Sequence, residues 1–211
     1  MRSKGTLPIL LGLLMIVSAL GLSAYNVYDA RHAEEAALET VAYIHEVRPI
    51  PESTFTPELM YHLDEEVEIP DYVLNPNMEM PVMHHDGWDY IATITIPSLE
   101  LEIPVISKWS YPALRVAPCR YTGSAYLDNL VIAGHNYASH FGRLNELSEG
   151  EQVLVTDSDG NAFTYQVKSR EILQPTAIEE MVEGDWDLTL FTCTVGGKAR
   201  VTVRCDKVTD Y

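Results

Sequence analysis

Leu188-Thr189-Leu190-Phe191-Thr192-Cys193 decides the reading of this chain. It is an apolar run of strand character that ends on a cysteine. Thr194-Val195-Gly196-Gly197 follows, and then Lys198-Ala199-Arg200-Val201-Thr202-Val203-Arg204, a second such run with an arginine at its start. A third, Val131-Ile132-Ala133-Gly134-His135, ends on a histidine. A thiol becomes a strong nucleophile beside a base or a cation, and an oxyanion needs a donor. Cysteine, histidine and arginine at three strand ends supply all of these.

Outward from these runs, residues from 90 onward alternate as short strands between turns. Tyr90–Pro97 and Leu101–Ile106 come first. Gln152–Thr156 and Ala162–Lys168 flank Asp157-Ser158-Asp159-Gly160-Asn161, a hairpin signal. Phe141–Leu147 reads as a short helix after the histidine. Some eight short strands with few helices predict a mainly β domain, a closed barrel or a sandwich.

The other end of the chain is different. Residues 7–25 carry no charge, and their 19 residues are long enough to cross a bilayer as a helix. A cleavable signal peptide competes with this reading, because Gly21, Ser23 and Ala24 are small. The length favours an uncleaved anchor. Arg2 and Lys4 precede the span and acids follow it, so residues 1–6 form a cytoplasmic tail and the rest lies outside. Residues 26–47 read as a helix leaving the membrane, stopped by Pro49 and Pro51. The layout is therefore a tail (1–6), an anchor (7–25), an acidic helical and extended spacer (26–89) and a catalytic domain (90–211). A helical turn is expected near Pro57–Leu63 within the spacer.

The net charge is −17: residues 26–90 hold 15 acids and 2 bases (−13), residues 91–211 hold 16 and 10 (−6), and Arg2 and Lys4 return +2. Such acidity excludes the basic face that nucleic-acid binding needs. The acidic stretch is read as a solvated spacer. With Cys193 set aside as nucleophile, Cys119 and Cys205 remain, either bridged or buried as small apolar side chains. The second reading is preferred. No Cys or His spacing suggests zinc, and Glu179, Glu180, Glu183 and Asp185 lack the spacing of a calcium loop, so no metal or cofactor is expected.

Taken together, the three strand ends resemble those of the sortases, the cell-wall transpeptidases of Gram-positive bacteria. The nucleophile of that family sits in a T-L-x-T-C motif, here Thr189-Leu190-Phe191-Thr192-Cys193, and its histidine commonly in A-G-H, here Ala133-Gly134-His135. Its arginine lies on the next strand, usually nine to thirteen residues past the cysteine. Arg200 is only seven residues on and Arg204 eleven. Both share one strand face. Arg200 is preferred, as the nearer of the two along the strand, and Arg204 stays a rival. The resemblance spans residues 90–208 and narrows the fold to an eight-stranded sortase-like barrel with short helices.

The resemblance implies a membrane-anchored cysteine transpeptidase with its catalytic domain outside the cell. Its catalytic residues are His135, Cys193 and Arg200. Its substrates are secreted proteins with an LPxTG-like C-terminal sorting signal, and its acceptors are amines of cell-wall peptide or pilin. The region Glu171–Trp186 corresponds to one that helps bind the sorting peptide in sortases. Ile178, Met181 and Trp186 are candidate substrate contacts there, alongside Thr192; the alternative for the first three is ordinary helix packing. His140 lines the same cleft or is solvated, and it is not assigned to catalysis. Pro70-Asp71-Tyr72 differs in order from a sortase lid motif, so no lid role is transferred.

Two rivals stand beside this reading. L,D-transpeptidases also use Cys, His and Arg, but keep His and Cys close together, whereas His135 and Cys193 are 58 residues apart. A catalytically inactive, surface-tethered binding module is the non-enzymatic alternative.

Overall fold

In a computed structural model of the chain, residues 6–48 and 69–208 are described. Nine strands follow a long first helix. They are β1 (Met83–His85), β2 (Trp88–Ile96), β3 (Leu101–Ile106), β4 (Cys119–Thr122), β5 (Leu130–Gly134), β6 (Gln152–Asp157), β7 (Ala162–Leu173), β8 (Leu188–Cys193) and β9 (Arg200–Lys207). The hydrogen-bonded order is β1-β2-β3-β4-β5-β8-β9-β7-β6, and β6 closes back onto β2. Eight strands thus form a closed barrel, and β1 hangs from β2 as an outer hairpin. Closure removes the exposed edges that an open sheet of this length would leave. The β3–β4 and β5–β8 pairs are parallel and the others antiparallel.

Alternation fills the barrel. Leu130 and Ile132 of β5, Leu188 and Leu190 of β8, and Val201, Val203 and Cys205 of β9 point inward to one core with Ile94, Ile96, Ile103, Val153 and Tyr165. The intervening residues of β5 and β8 face outward. There Val131, Ala133 and Phe191 meet Met181 of the short helix α4 (Ile178–Val182). This outer face carries the site.

The Asp157–Asn161 turn is a hairpin as its sequence predicts. Asp157 accepts from the backbone N–H groups of Asp159 and Asn161 and from Tyr126 Oη, and Gly160 takes φ +88°. Residues 144–146 form a single 3₁₀ turn within the stretch read as a helix. The strands begin at Met83, upstream of the expected start at 90.

The first helix, α1, runs unbroken over Thr6–Val47, so the apolar span and the following segment are one rod of 42 residues, about 63 Å long. Its first turns are exposed and apolar. Its second half lies along the barrel. Ala33, Ala37, Thr40 and Val41 are buried at helical spacing, His45 pairs with Glu102 at 2.8 Å, Tyr43 stacks on His85, and Arg48 reaches Asp159. Small alanines let the helix approach closely. The turn expected near Pro57–Leu63 lies outside the described residues. Tyr72, on the one-turn helix α2 (Asp71–Leu74), stacks on Tyr126 at 4.7 Å and meets Phe163 edge-on. Cys119 and Cys205 are buried free thiols, and burial pushes both up to about 12.

Candidate active site

The site sits where β5, β8 and β9 end. In the parallel β5–β8 pair, Gly134 lies opposite Thr192. His135 and Cys193 are each the next residue, so they leave adjacent strands side by side, with strand spacing of about 4.8 Å. In the antiparallel β8–β9 pair, Cys193 lies directly opposite Arg200. Parity does the rest: Val131, Ala133 and His135 share the outer face, as do Thr189, Phe191 and Cys193.

The short loop fixes this register. Thr194 N–H donates to Ala199 O at 2.9 Å, Gly197 N–H to Thr194 O at 2.7 Å, and Ala199 N–H to Thr194 Oγ1 at 3.0 Å. Gly196 and Gly197 take φ +81° and +71°. Two successive left-handed residues are strained for any side chain with a Cβ. The two glycines therefore let the chain turn back in time to set Arg200 against Cys193.

The two arginines part company in this register. Arg204 lies opposite Thr189, four residues from Cys193, and its side chain is 3% exposed. It bonds Glu171 Oε1 at 2.7 Å, Met181 O and Thr189 Oγ1 at 3.0 Å each, and Glu180 O. It is a clamp fastening α4 to β7, β8 and β9. Arg200 is half-buried, and among the described residues its guanidinium donates to Gly197 O and Ala199 O. Those contacts are on its own loop, which leaves donors for a ligand.

Two small features hold the cysteine and histidine ends in place. Thr192 faces inward and its hydroxyl donates to Gly134 O at 2.9 Å, tying β8 to β5 beneath the site. A Cβ on Gly134 would come within 2.5 Å of the Phe141 ring, so the A-G-H glycine makes room for the loop that returns under the histidine. Phe141 N–H donates to His135 O at 3.0 Å and closes that loop.

His135 is half-buried. Burial lowers its affinity for a proton; Asp29 of α1 opposes that effect, and Arg115 adds to it. Tyr137 stacks on the imidazole, centroids 4.6 Å apart, and donates its hydroxyl to Asp29 Oδ2 at 2.5 Å. Burial first, then that bond, pushes the phenol up to about 12, so it stays a donor. A cleft of about 630 Å³ opens here, with Asp29 and His32 of α1, Arg115 beside helix α3 (Tyr111–Leu114) and His135 among its walls.

His140, read as cleft-lining or solvated, is instead wholly buried, and neither ring nitrogen has a partner in hydrogen-bonding geometry. Burial, helped by His135, pushes it down to about 4 against an ordinary 6.5. The fold therefore holds it neutral. As pH falls through 6.5 the unfolded chain takes a proton and the native chain does not, so stability is lost until about 4. The full loss is about 3 kcal/mol. Urea unfolding at about pH 7 and about pH 4.5 should show most of that drop, and His140→Leu should flatten it.

The remaining candidates separate. Met181 is buried under α4 against Phe191. Ile178 on the same helix is half-exposed, and Trp186 is partly exposed beside Gly184. Among the described residues no group of three or more metal-ligating side chains occurs.

The closed barrel, with histidine and cysteine at the ends of its parallel β5–β8 pair and an arginine across from the cysteine, has the arrangement that the resemblance to sortases implies. A sortase-domain family model matches residues 94–208, more than half of the chain, and the chain belongs to the sortase family. Among solved structures it is similar to a sortase D5 transpeptidase of Clostridium perfringens, at 21% identity over 60% of this chain and 83% of that one, with a TM-score of 0.52. It is also similar to sortase C1 of Streptococcus agalactiae, at 25% identity over 61% and 72%, with a TM-score of 0.52. No curated protein matches the chain.

Proposed function

We propose that this chain is a membrane-anchored sortase that cleaves an LPxTG-like sorting signal at Cys193 and passes the acyl group to an amine. The carrying observation is the register that puts His135 beside Cys193 and Arg200 across from it. The Cys193 thiolate attacks the scissile carbonyl, and the carbonyl electrons move to oxygen. Arg200 donates to that oxyanion. The tetrahedral adduct collapses, the amide C–N bond breaks, and imidazolium at His135 gives the leaving amine its proton. A thioester remains. Neutral His135 then takes a proton from the incoming amine as it attacks the thioester carbonyl; the C–S bond breaks, the new amide leaves, and the Cys193 thiolate and His135 imidazolium are restored.

Burial biases His135 towards the neutral form that this second half requires. Ile178 and Trp186 are assigned to the sorting peptide as it runs beside α4, with Met181 shaping the floor and Thr192 supporting the strand end. The acceptor is an amine of cell-wall peptide or of a pilin. The exposed apolar turns of α1 anchor the chain, with the barrel on the outer side of the membrane. The layout is a tail at 1–6, an anchor at 7–25, a connecting segment, and the catalytic barrel, whose sheet starts at Met83.

The test is mass spectrometry of the full chain in detergent with a panel of LPxTG-like peptides. An acyl-enzyme on Cys193, released by added amines as a new amide, supports the reading. An inert panel with Cys193 slow to alkylate supports a tethered binding module instead.

A further inference from the structure

The anchor helix and the catalytic histidine meet at one point. Asp29 follows the apolar span by a single helical turn, yet its carboxylate receives the Tyr137 hydroxyl at 2.5 Å. Tyr137 in turn lies over His135 with its ring tilted only 23° from the imidazole plane. The buried His140 also lies against Tyr137, ring centroids 5.4 Å apart and tilted by 54°. Tyr137 thus packs against both histidines, with its hydroxyl fixed by α1. The buried Ala33, Ala37 and Val41 hold that stretch of α1 against the barrel, so Asp29 cannot drift with the membrane independently of the site.

We propose that Asp29 is a positioning residue for His135, acting through Tyr137, so that the juxtamembrane turn of the anchor is a working part of the active site. The proposal rests on the sortase reading above for the role of His135. The Asp29–Tyr137 bond fixes the plane of the Tyr137 ring, and the stacked imidazole takes its orientation from that plane. The carboxylate also favours the imidazolium form, the one that must protonate the leaving amine. The charged and titratable groups around His135 are Asp29 and His32 from α1, Tyr111 of α3 and Arg115 beside it, Tyr137 and His140 from its own loop, and Cys193 and Arg200 from β8 and β9. Asp29 is the one acid among them, and Arg115 and Arg200 oppose it.

Three variants of the full-length chain in detergent separate the roles. Asp29→Asn keeps an oxygen to accept from Tyr137 but removes the charge. Asp29→Ala removes both, and Tyr137→Phe keeps the stacked ring but removes the donor. His135 titration is followed by NMR of ring-labelled histidine, assigned with His135→Gln. The midpoint is expected to fall by about half a unit in Asp29→Asn. In Asp29→Ala and Tyr137→Phe, kcat for peptide cleavage is expected to fall about five- to tenfold with KM for the peptide unchanged. An unchanged midpoint in Asp29→Asn, with wild-type turnover by Tyr137→Phe, overturns the proposal. So does a loss of kcat that only tracks a loss of folded protein. Turnover by the unaltered chain tests the transpeptidase reading separately, and the titration reports on Asp29 even in a chain that turns nothing over.

Discussion

Cys193→Ala is expected to reduce peptide cleavage to background, and Arg200→Ala to lower kcat by about 10²- to 10³-fold while leaving the melting temperature unchanged. The first follows because the other residues at the site offer no second thiol: Cys119 and Cys205 are buried, with thiols held protonated at about 12. The second follows from geometry. Arg200 is opposite Cys193, is partly exposed, and among the described residues donates to carbonyls of its own loop. Removing it leaves no buried group without a partner, so stability is spared. The oxyanion, however, loses a charged donor. Arg200→Lys should recover little, since a single ammonium replaces a planar fork. Stopped-flow cleavage with thermal melts on the same preparations decides the matter. Equal kcat in Arg200→Ala and wild type would return the oxyanion role to backbone donors alone.

Arg204→Ala is expected to do the reverse, destabilising the fold by about 3 kcal/mol. The guanidinium is buried and satisfies two carbonyls of α4, the Thr189 hydroxyl and the Glu171 carboxylate. Glu171 is partly solvated and recovers water, so its ion pair contributes little to the loss. The Met181 carbonyl and the Thr189 hydroxyl are buried and do not, and each buried polar group left unpaired costs roughly 1–3 kcal/mol. Release of α4 also exposes Met181 and Phe191. Denaturant melts would register the loss directly. Activity measured on the folded fraction should fall through weaker peptide binding, because α4 carries Ile178. A stable Arg204→Ala with poor kcat and normal peptide KM would make Arg204, not Arg200, the oxyanion donor.

That contrast marks a limit of strand periodicity. Residues 200 and 204 have the same parity, so alternation assigns both to the outer face, as observed. Distance along the strand favours Arg200 as the nearer of the two, and the register sets Arg200 opposite Cys193. The dipeptide Gly196-Gly197 was legible as a turn; the two left-handed glycines and three loop hydrogen bonds that fix its register were not.

His140 shows another gap. A polar side chain five residues past His135 in a loop reads as cleft-lining or solvated. In the fold Phe141 packs under Gly134 and draws its neighbour inside, where His140 has no hydrogen-bond partner. Burial of that kind is a consequence of chain path, which local composition does not record.

What the sequence determined by itself was the chemistry and its setting. Apolar alternation specified the strands, the strand ends specified where Cys193, His135 and an arginine would emerge, and an uncharged run specified a helix long enough to cross a bilayer. These are local properties, carried by neighbours within a few residues. What only the tertiary structure decided was which distant groups meet: Arg200 across from Cys193, Arg204 locked under α4, and Asp29 of α1 bonded to the tyrosine stacked on His135. Residues 29 and 137 are 108 positions apart. Their contact arises because small alanines let a rigid helix lie flat against a closed barrel, and no periodicity within either segment encodes it.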